Sequence, residues 1–324
     1  MEIKIETNPR LREINKRSEK YEQAIIKYQP EIPENHKISN KKEEAIRVIY
    51  GLCFGALAGT PYRTDGFHAD PDKAEIVQKN SCIGESTICA LASWAAAREI
   101  SKKVPDIDSS VEIFRRNNKK YYERYRDICP EGKFFVRETD YKEFHNSYRD
   151  EAAAGSCIIG ACFENPDDVI RYAAISADCQ GGHEEAMRGG IVSAVCVWLA
   201  IHGASREEIR QYALRYYGRD TGPIQYQFSH GLIEADKPIQ EIKEMPRLKT
   251  SGRSCMIAVP EALTNFIHSD NFESCIRNSY RYLCDTEVVA SISGAIAAAY
   301  YGISPTRYPD VFPILPKELR ARLL

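Results

Sequence analysis

Leu283-Cys284-Asp285-Thr286-Glu287-Val288-Val289-Ala290-Ser291-Ile292-Ser293-Gly294-Ala295-Ile296-Ala297-Ala298-Ala299-Tyr300-Tyr301-Gly302 opens on two acids and continues as a run of small and branched apolar residues. The Ala-rich part reads as a helix from Glu287 to Tyr301. Gly302 is placed to end it, because glycine turns the chain left-handed without a Cβ penalty. Ser291 to Tyr301 is too short to span a bilayer, so the segment belongs to a globular interior.

The same pattern extends outward. Glu44 to Ala58 is apolar at Ile46, Val48, Ile49, Leu52, Cys53 and Leu57. Small residues at Gly55, Ala56, Ala58 and Gly59 would let another helix or a ligand approach closely. Thr87 to Ile100 is Ala-rich with Trp94 inside. Pro166-Asp167-Asp168 opens a further helix, with proline in the first turn and acids at the positive end. Glu184 to His202 is a long apolar helix that Gly203 ends. Ser205 with Glu208 forms a capping box for Glu207 to Tyr217. Pro260-Glu261 opens a helix to Ile267, and Asn271 or Asp270 caps the next, through Tyr280. No run of alternating strands and no internal repeat is visible. The expected fold is all-α, a compact orthogonal helical bundle over residues 44–324.

Residues 1–43 read as an extension dominated by Lys, Glu and Asn. Within it Arg12 to Tyr28 forms one charged helix, read as a short solvated helix, with a partner-binding arm as the sharper alternative. Residues 104–150, rich in Tyr, Arg, Lys and Glu, read as a solvated surface helix pair, or as an insertion or lid. The Tyr and Arg cluster from Arg115 to Arg126 is diluted by Glu123 and Asp127 and reads as a solvated face.

Composition excludes several classes. Apolar residues make up 43% of the 324 residues, enough for a sizeable core, and the net charge is -2. That balance gives no general pull towards nucleic acid or anionic membrane. No secretory signal is visible at the charged N-terminus, and 11 cysteines without a CxxC pair suit reduced thiols, so a cytoplasmic location is expected. Cys179 and His183 lie four apart, but Gly181-Gly182 breaks the helix between them, leaving a buried thiol near a capping histidine. His68 lies in a polar loop, Tyr62 to Asp70, beside the region developed next.

Three separated segments carry a family likeness. The first is Gly55-Ala56-Leu57-Ala58-Gly59-Thr60-Pro61-Tyr62-Arg63. The second is Gly84-Glu85-Ser86-Thr87 leading into an Ala-rich helix. The third is Leu283-Cys284-Asp285-Thr286-Glu287-Val288 before Ala290 to Ala297. Weaker echoes are His183-Glu184-Glu185-Ala186, Ser254-Cys255 with Val259 to Ala262, and Ile276-Arg277-Asn278. In order and spacing the chain resembles the ADP-ribosylglycohydrolase family from Gly51 to Gly302. The resemblance implies a helical fold and hydrolysis of ADP-ribosyl bonds. It also implies a pair of magnesium ions held by acids of these motifs beside the ADP-ribose. Hard cations need converging carboxylates, and two of them can orient ribose hydroxyls, polarise the glycosidic bond and activate water.

Most matching ligand positions differ here. The first motif's Asp and Glu are Ala56 and Arg63, the Thr-Asp-Asp trio is Gly84-Glu85-Ser86, and the last Thr is Val288. Glu85, Asp285 and Glu287 keep an acid and are the expected metal ligands, for at most one magnesium ion or none. Glu85 is also the expected catalytic base. Arg63, Gly59, Ser86 and His183 are the expected ligand-binding residues. Arg63 cannot be deprotonated in practice and cannot bind a metal. It would place a guanidinium where the ions sat, bridging carboxylates, or else lie in a surface loop with no such contact. Arg149-Asp150-Glu151-Ala152-Ala153-Ala154-Gly155 takes the place of a substrate-facing Gly-Asn-Gly loop.

Two functions follow, the first as the expectation and the second as its alternative. The lost ligands favour a pseudoenzyme that binds an ADP-ribose-like small molecule, an ADP-ribosylated protein or another protein partner, the last through residues 1–43. The retained acids favour an active hydrolase of an N- or O-glycosidic bond with a rebuilt site. The feature that separates them is whether Asp65, Asp70, Asp150 or Glu151 points into the same pocket.

Overall fold

The computed structural model describes residues 9–36, 41–63, 73–125, 147–217, 253–281, 285–303 and 311–323. His68, Asp65, Asp70, Cys129, Cys284, Arg126 and Asp127 lie outside them. Among the described residues the fold is all-α. Ser147 and Gly182 make an isolated bridge, and no strand occurs. The helices are α1 (Pro9–Tyr28), α2 (Lys41–Gly59), α3 (Glu85–Lys103), α4 (Ile107–Tyr125), α5 (Glu151–Cys157) and α6 (Pro166–Gln180). They continue with α7 (Glu184–Ile201), α8 (Arg206–Tyr217), α9 (Cys255–Ile267), α10 (Phe272–Asn278), α11 (Thr286–Tyr301) and α12 (Lys317–Leu323). No helix among the described residues is long and apolar enough to cross a membrane.

The axis of the fold is the antiparallel pair α2 and α11. A Cβ on Gly51 would lie 2.5 Å from Gly294 O, one on Gly55 2.0 Å from Ala290 O, and one on Gly59 2.4 Å from Thr286 O. Glycine at every fourth position of the C-terminal half of α2 therefore brings the two backbones together there. Every residue of α11 from Thr286 to Ala299 is buried. Burying a helix on all sides requires a face free of charge, and its Ala, Ser and Ile content supplies one. The pairing fixes the site, because it holds Asp285 and Glu287 beside the end of α2.

Local chemistry sets the other boundaries. Asn165 accepts from Asp167 N to start α6, with Pro166 in the first turn. The Ser205–Glu208 box forms: Ser205 N donates to Glu208 Oε2 at 2.7 Å, and Glu208 N to Ser205 Oγ at 3.2 Å. Asn271 caps α10 in a capping box with Ser274. Gly203 follows α7 with a φ of 89°.

Three expectations are corrected. The helix opened by Pro260 starts earlier, at Cys255, because the Ser254 hydroxyl accepts from Met256 N. Pro260 is accommodated inside it. The N-terminal helix is not simply solvated. Tyr21, Ala24, Ile25 and Tyr28 are buried, Tyr21 Oη donates to Asp178 Oδ2 at 2.7 Å, and Lys20 pairs with Asp178 Oδ1 at 2.8 Å, fixing α1 to α6. Residues 107–125 likewise form an amphipathic helix whose Val111, Ile113, Phe114, Tyr122 and Tyr125 are buried.

Candidate functional site

Three helices begin at one place. Glu85 is the first residue of α3, Asp150 and Glu151 open α5, and Asp285 and Glu287 open α11. All five acids are buried. Gly84 leaves the room that Glu287 fills, since a Cβ there would lie 2.3 Å from Glu287 Oε1. The N-terminal ends of α3 and α11 favour negative charge.

Three guanidiniums face these acids. Arg63 ends the 3-10 turn Thr60–Tyr62 that follows α2. Its Nε donates to Asp285 Oδ2 at 3.1 Å, and its Nη2 lies 3.0 Å from the same oxygen. Arg63 thus meets the expected acid, as a clamp on one carboxylate. The residue that bridges two carboxylates is Arg149. It donates from Nε to Glu151 Oε2 at 3.0 Å, and from Nη2 to Glu151 Oε1 at 2.5 Å and Glu85 Oε2 at 2.9 Å. Arg253 stands farther out, its Nε 3.5 Å from Asp285 Oδ2. The loop carrying Arg149 is anchored from behind by Cys255, whose N donates to Tyr148 O at 2.9 Å and whose Sγ donates to Arg149 O at 3.0 Å.

Burial and the nearby Glu151 charge push the Glu85 carboxyl up to about 8. Burial alone would raise Glu151 too. The fork of Arg149 and a hydrogen bond from Glu85 outweigh it, holding Glu151 at about 2. The shifts run in opposite directions, which favours a proton on Glu85 over one on Glu151. Burial drives Glu287 up to about 8 against the pull of Arg63. Burial, with Glu151 and Asp285 beside it, raises Asp150 well above the usual carboxylate range. Asp285 is raised by burial, with Arg63 opposing.

These acids also offer a seat for a metal ion. Both oxygens of Asp150, both of Glu287 and Oδ1 of Asp285 are buried without a hydrogen bond of normal geometry. Asp150, Glu151 and Asp285 each bring a carboxylate oxygen within 4.8 Å of the others. All-oxygen, partly unpartnered donors fit a hard divalent cation. Of the three acids expected from sequence to be ligands, Asp285 belongs to this converging group. Glu85 and Glu287 lie around it.

The remaining expected residues are accounted for. Ser86 is buried beside Glu287. Gly59 is packed against the α11 backbone. His183 caps α7, its Nδ1 accepting from Glu185 N at 3.0 Å, and its ring lies edge-on to Tyr148, 5.5 Å between centroids. Cys179 makes no pair with it: its Sγ donates to Val111 O and burial pushes the thiol up to about 12. Arg149 and Arg253 carry no assigned role in the sequence, whereas Asp150 and Glu151 are the acids whose direction decides between the two functions, and both turn inward. The signal for Arg149, Asp150 and Glu151 was three charges set directly before the small apolar run Ala152 to Gly155, a pattern that buries the charges with the helix start; Arg253 had none.

No curated protein matches the sequence. One solved structure similar to it is described as an "ADP-ribosylglycohydrolase-related protein complex". The likeness has a TM-score of 0.58 at 17% identity and covers 88% of this chain and 97% of that one. It shows the fold. A family model described as ADP-ribosylglycohydrolase matches residues 39–323, nearly the whole chain, and the chain belongs to that family.

Proposed function

We propose that this protein hydrolyses an N- or O-glycosidic ADP-ribosyl bond at a rebuilt acidic centre that takes one divalent cation. The observation that supports this reading is the excess of buried acid. Glu85, Asp150, Glu151, Asp285 and Glu287 face Arg63, Arg149 and Arg253. Buried carboxylate oxygens left without partners are costly, so a centre that had only exchanged its metal for arginine would have no reason to keep the oxygens of Asp150 and Glu287 unpartnered. A divalent cation would supply the missing partner.

A cation on Asp150, Glu151 and Asp285 would supply charge stabilisation to ribose oxygens. The chain's own groups do the rest. Glu85 stays protonated to about pH 8 and can donate to the leaving atom. Arg149 holds Glu85 and Glu151 in fixed relation. The ionised Glu151 faces the positive charge that develops on the sugar as the bond breaks. Arg253, on the open side, offers a guanidinium to the diphosphate.

A second reading is favoured by the Arg63–Asp285 contact. Arginine stands where relatives carry an acid, which suits a pseudoenzyme that binds an ADP-ribose-like ligand or a protein partner. The separating experiment is product release from ADP-ribosyl-arginine and ADP-ribosyl-serine peptides with magnesium. Turnover that falls about 100-fold or more in Glu85→Gln supports the hydrolase. No release above background from either peptide, with ADP-ribose still bound, supports the pseudoenzyme.

A further inference from the structure

A cavity of about 620 Å³ opens at the far end of α3, roughly 20 Å along the helix from Glu85. Trp94 forms its floor. The guanidinium of Arg322 sits 4.9 Å from the Trp94 ring centroid and that of Arg98 5.5 Å from it. Lys42 lines the same space. None of these three cations makes an ion pair or hydrogen bond among the described residues. The acids of the wall are engaged elsewhere: Glu164 Oε1 lies 3.1 Å from His202 Nε2, and Asp168 Oδ1 2.8 Å from Arg171 Nη1. Phe163 and Tyr172 supply an aromatic wall, their rings stacked 4.7 Å apart.

We infer that this cavity is a second ligand site, for a nucleoside phosphate, with the phosphate on Arg98, Arg322 and Lys42 and the base against the aromatic wall. Two like charges brought to one indole repel each other and gain from an anion between them. Guanidiniums suit phosphate oxygens by their fork and suit a base by their plane. The volume is within the usual range for small-molecule sites. The edge of the cavity carries Val104, held left-handed at φ 44° and 81% exposed, a conformation that β-branched residues avoid.

The test is a calorimetric titration of the full chain with AMP, adenosine and inorganic phosphate separately, with Trp94 fluorescence as a second readout. The protein forms compared are wild type, Asp285→Asn, Lys42→Gln and the double variant Arg98→Gln/Arg322→Gln. AMP should bind at least tenfold more tightly than adenosine or phosphate. The double variant should weaken AMP at least tenfold, Lys42→Gln should weaken it by a smaller factor, and Asp285→Asn should leave it unchanged. Loss of AMP binding in Asp285→Asn would place the nucleotide in the acidic centre and overturn the inference. So would phosphate binding as tightly as AMP, or AMP affinity unaltered by both cation variants. Lys42 is exposed, so its variant keeps the test decisive if the double variant does not fold.

Discussion

Arg149→Met removes the group that holds two buried carboxylates. In the native site one guanidinium makes three hydrogen bonds of 2.5–3.0 Å to Glu151 and Glu85. Glu151 is fully buried, so the variant leaves its charge without compensation. Breaking a buried pair from one side costs about 3–5 kcal/mol, and the partly exposed edge of Arg149 argues for the lower end, about 3 kcal/mol. For a chain of this size that lowers Tm by roughly 5–10 °C. The loss should depend on pH. In the native protein Glu151 is depressed to about 2, so its stabilising share is present above its unfolded value of 4.5 and fades as pH falls through 2. In the variant Glu151 can take up a proton, so the difference from wild type should be large at pH 7.5 and shrink towards pH 4.5. Thermal melts across that range, with Glu151→Gln and the double variant, close the cycle. The double variant should be less destabilised than the sum of the singles by at least about 1 kcal/mol. A loss under about 1 kcal/mol that does not change with pH would refute the reasoning.

Three further outcomes are expected. In chelator, wild-type stability should fall as pH rises from 5 to 8.5, because Glu85 and Glu287 are raised from 4.5 to about 8; their share is complete below 4.5 and lost through 8, and melts with added magnesium should recover most of it at the alkaline end. Gly55→Ala should cost about 1–3 kcal/mol or prevent folding, since its Cβ would meet the Ala290 backbone and not a side chain that can turn away; urea unfolding reads it. Arg63→Glu should lower stability in chelator by about 3 kcal/mol and raise magnesium affinity, read by melts and calorimetry; no change in either would mean that Arg63 does not stand in for a cation.

The fold was legible because its signals are local and repeated. The small residues Gly55, Ala56, Ala58 and Gly59 and the Ala-rich run after Glu287 mark helices open to close approach, and caps such as Ser205, Asn271 and Gly203 mark their own boundaries; that Gly51 extends the same contact is visible only in the fold. The start of α9 was misread because Pro260 is a louder signal than Ser254, although a capping hydroxyl can start a helix that later tolerates proline. The burial of α1 was missed because its long charged residues outnumber the tyrosines and alanine that dock on α6. Three of the five acids of the centre, Glu85, Asp285 and Glu287, could be read from motif order. The other two could be named only as candidates. Asp150 and Glu151 are acids in a charged stretch, and only the path of the chain through Ser147 and Cys255 turns them inward. Arg63 illustrates the same limit: its residue type excludes metal binding, but its contact with Asp285 depends on how α2 meets α11.

The central claim is that Asp150, Glu151 and Asp285 form a working cation seat. Magnesium titration by calorimetry, with and without ADP-ribose, in wild type, Asp150→Asn and Asp285→Asn tests it most directly. One ion per chain in wild type, bound more tightly with ADP-ribose and at least tenfold more weakly in each variant, is the predicted result. Wild-type protein that takes up no magnesium at millimolar concentration with ADP-ribose present, or variants that bind it as well as wild type, would contradict the account.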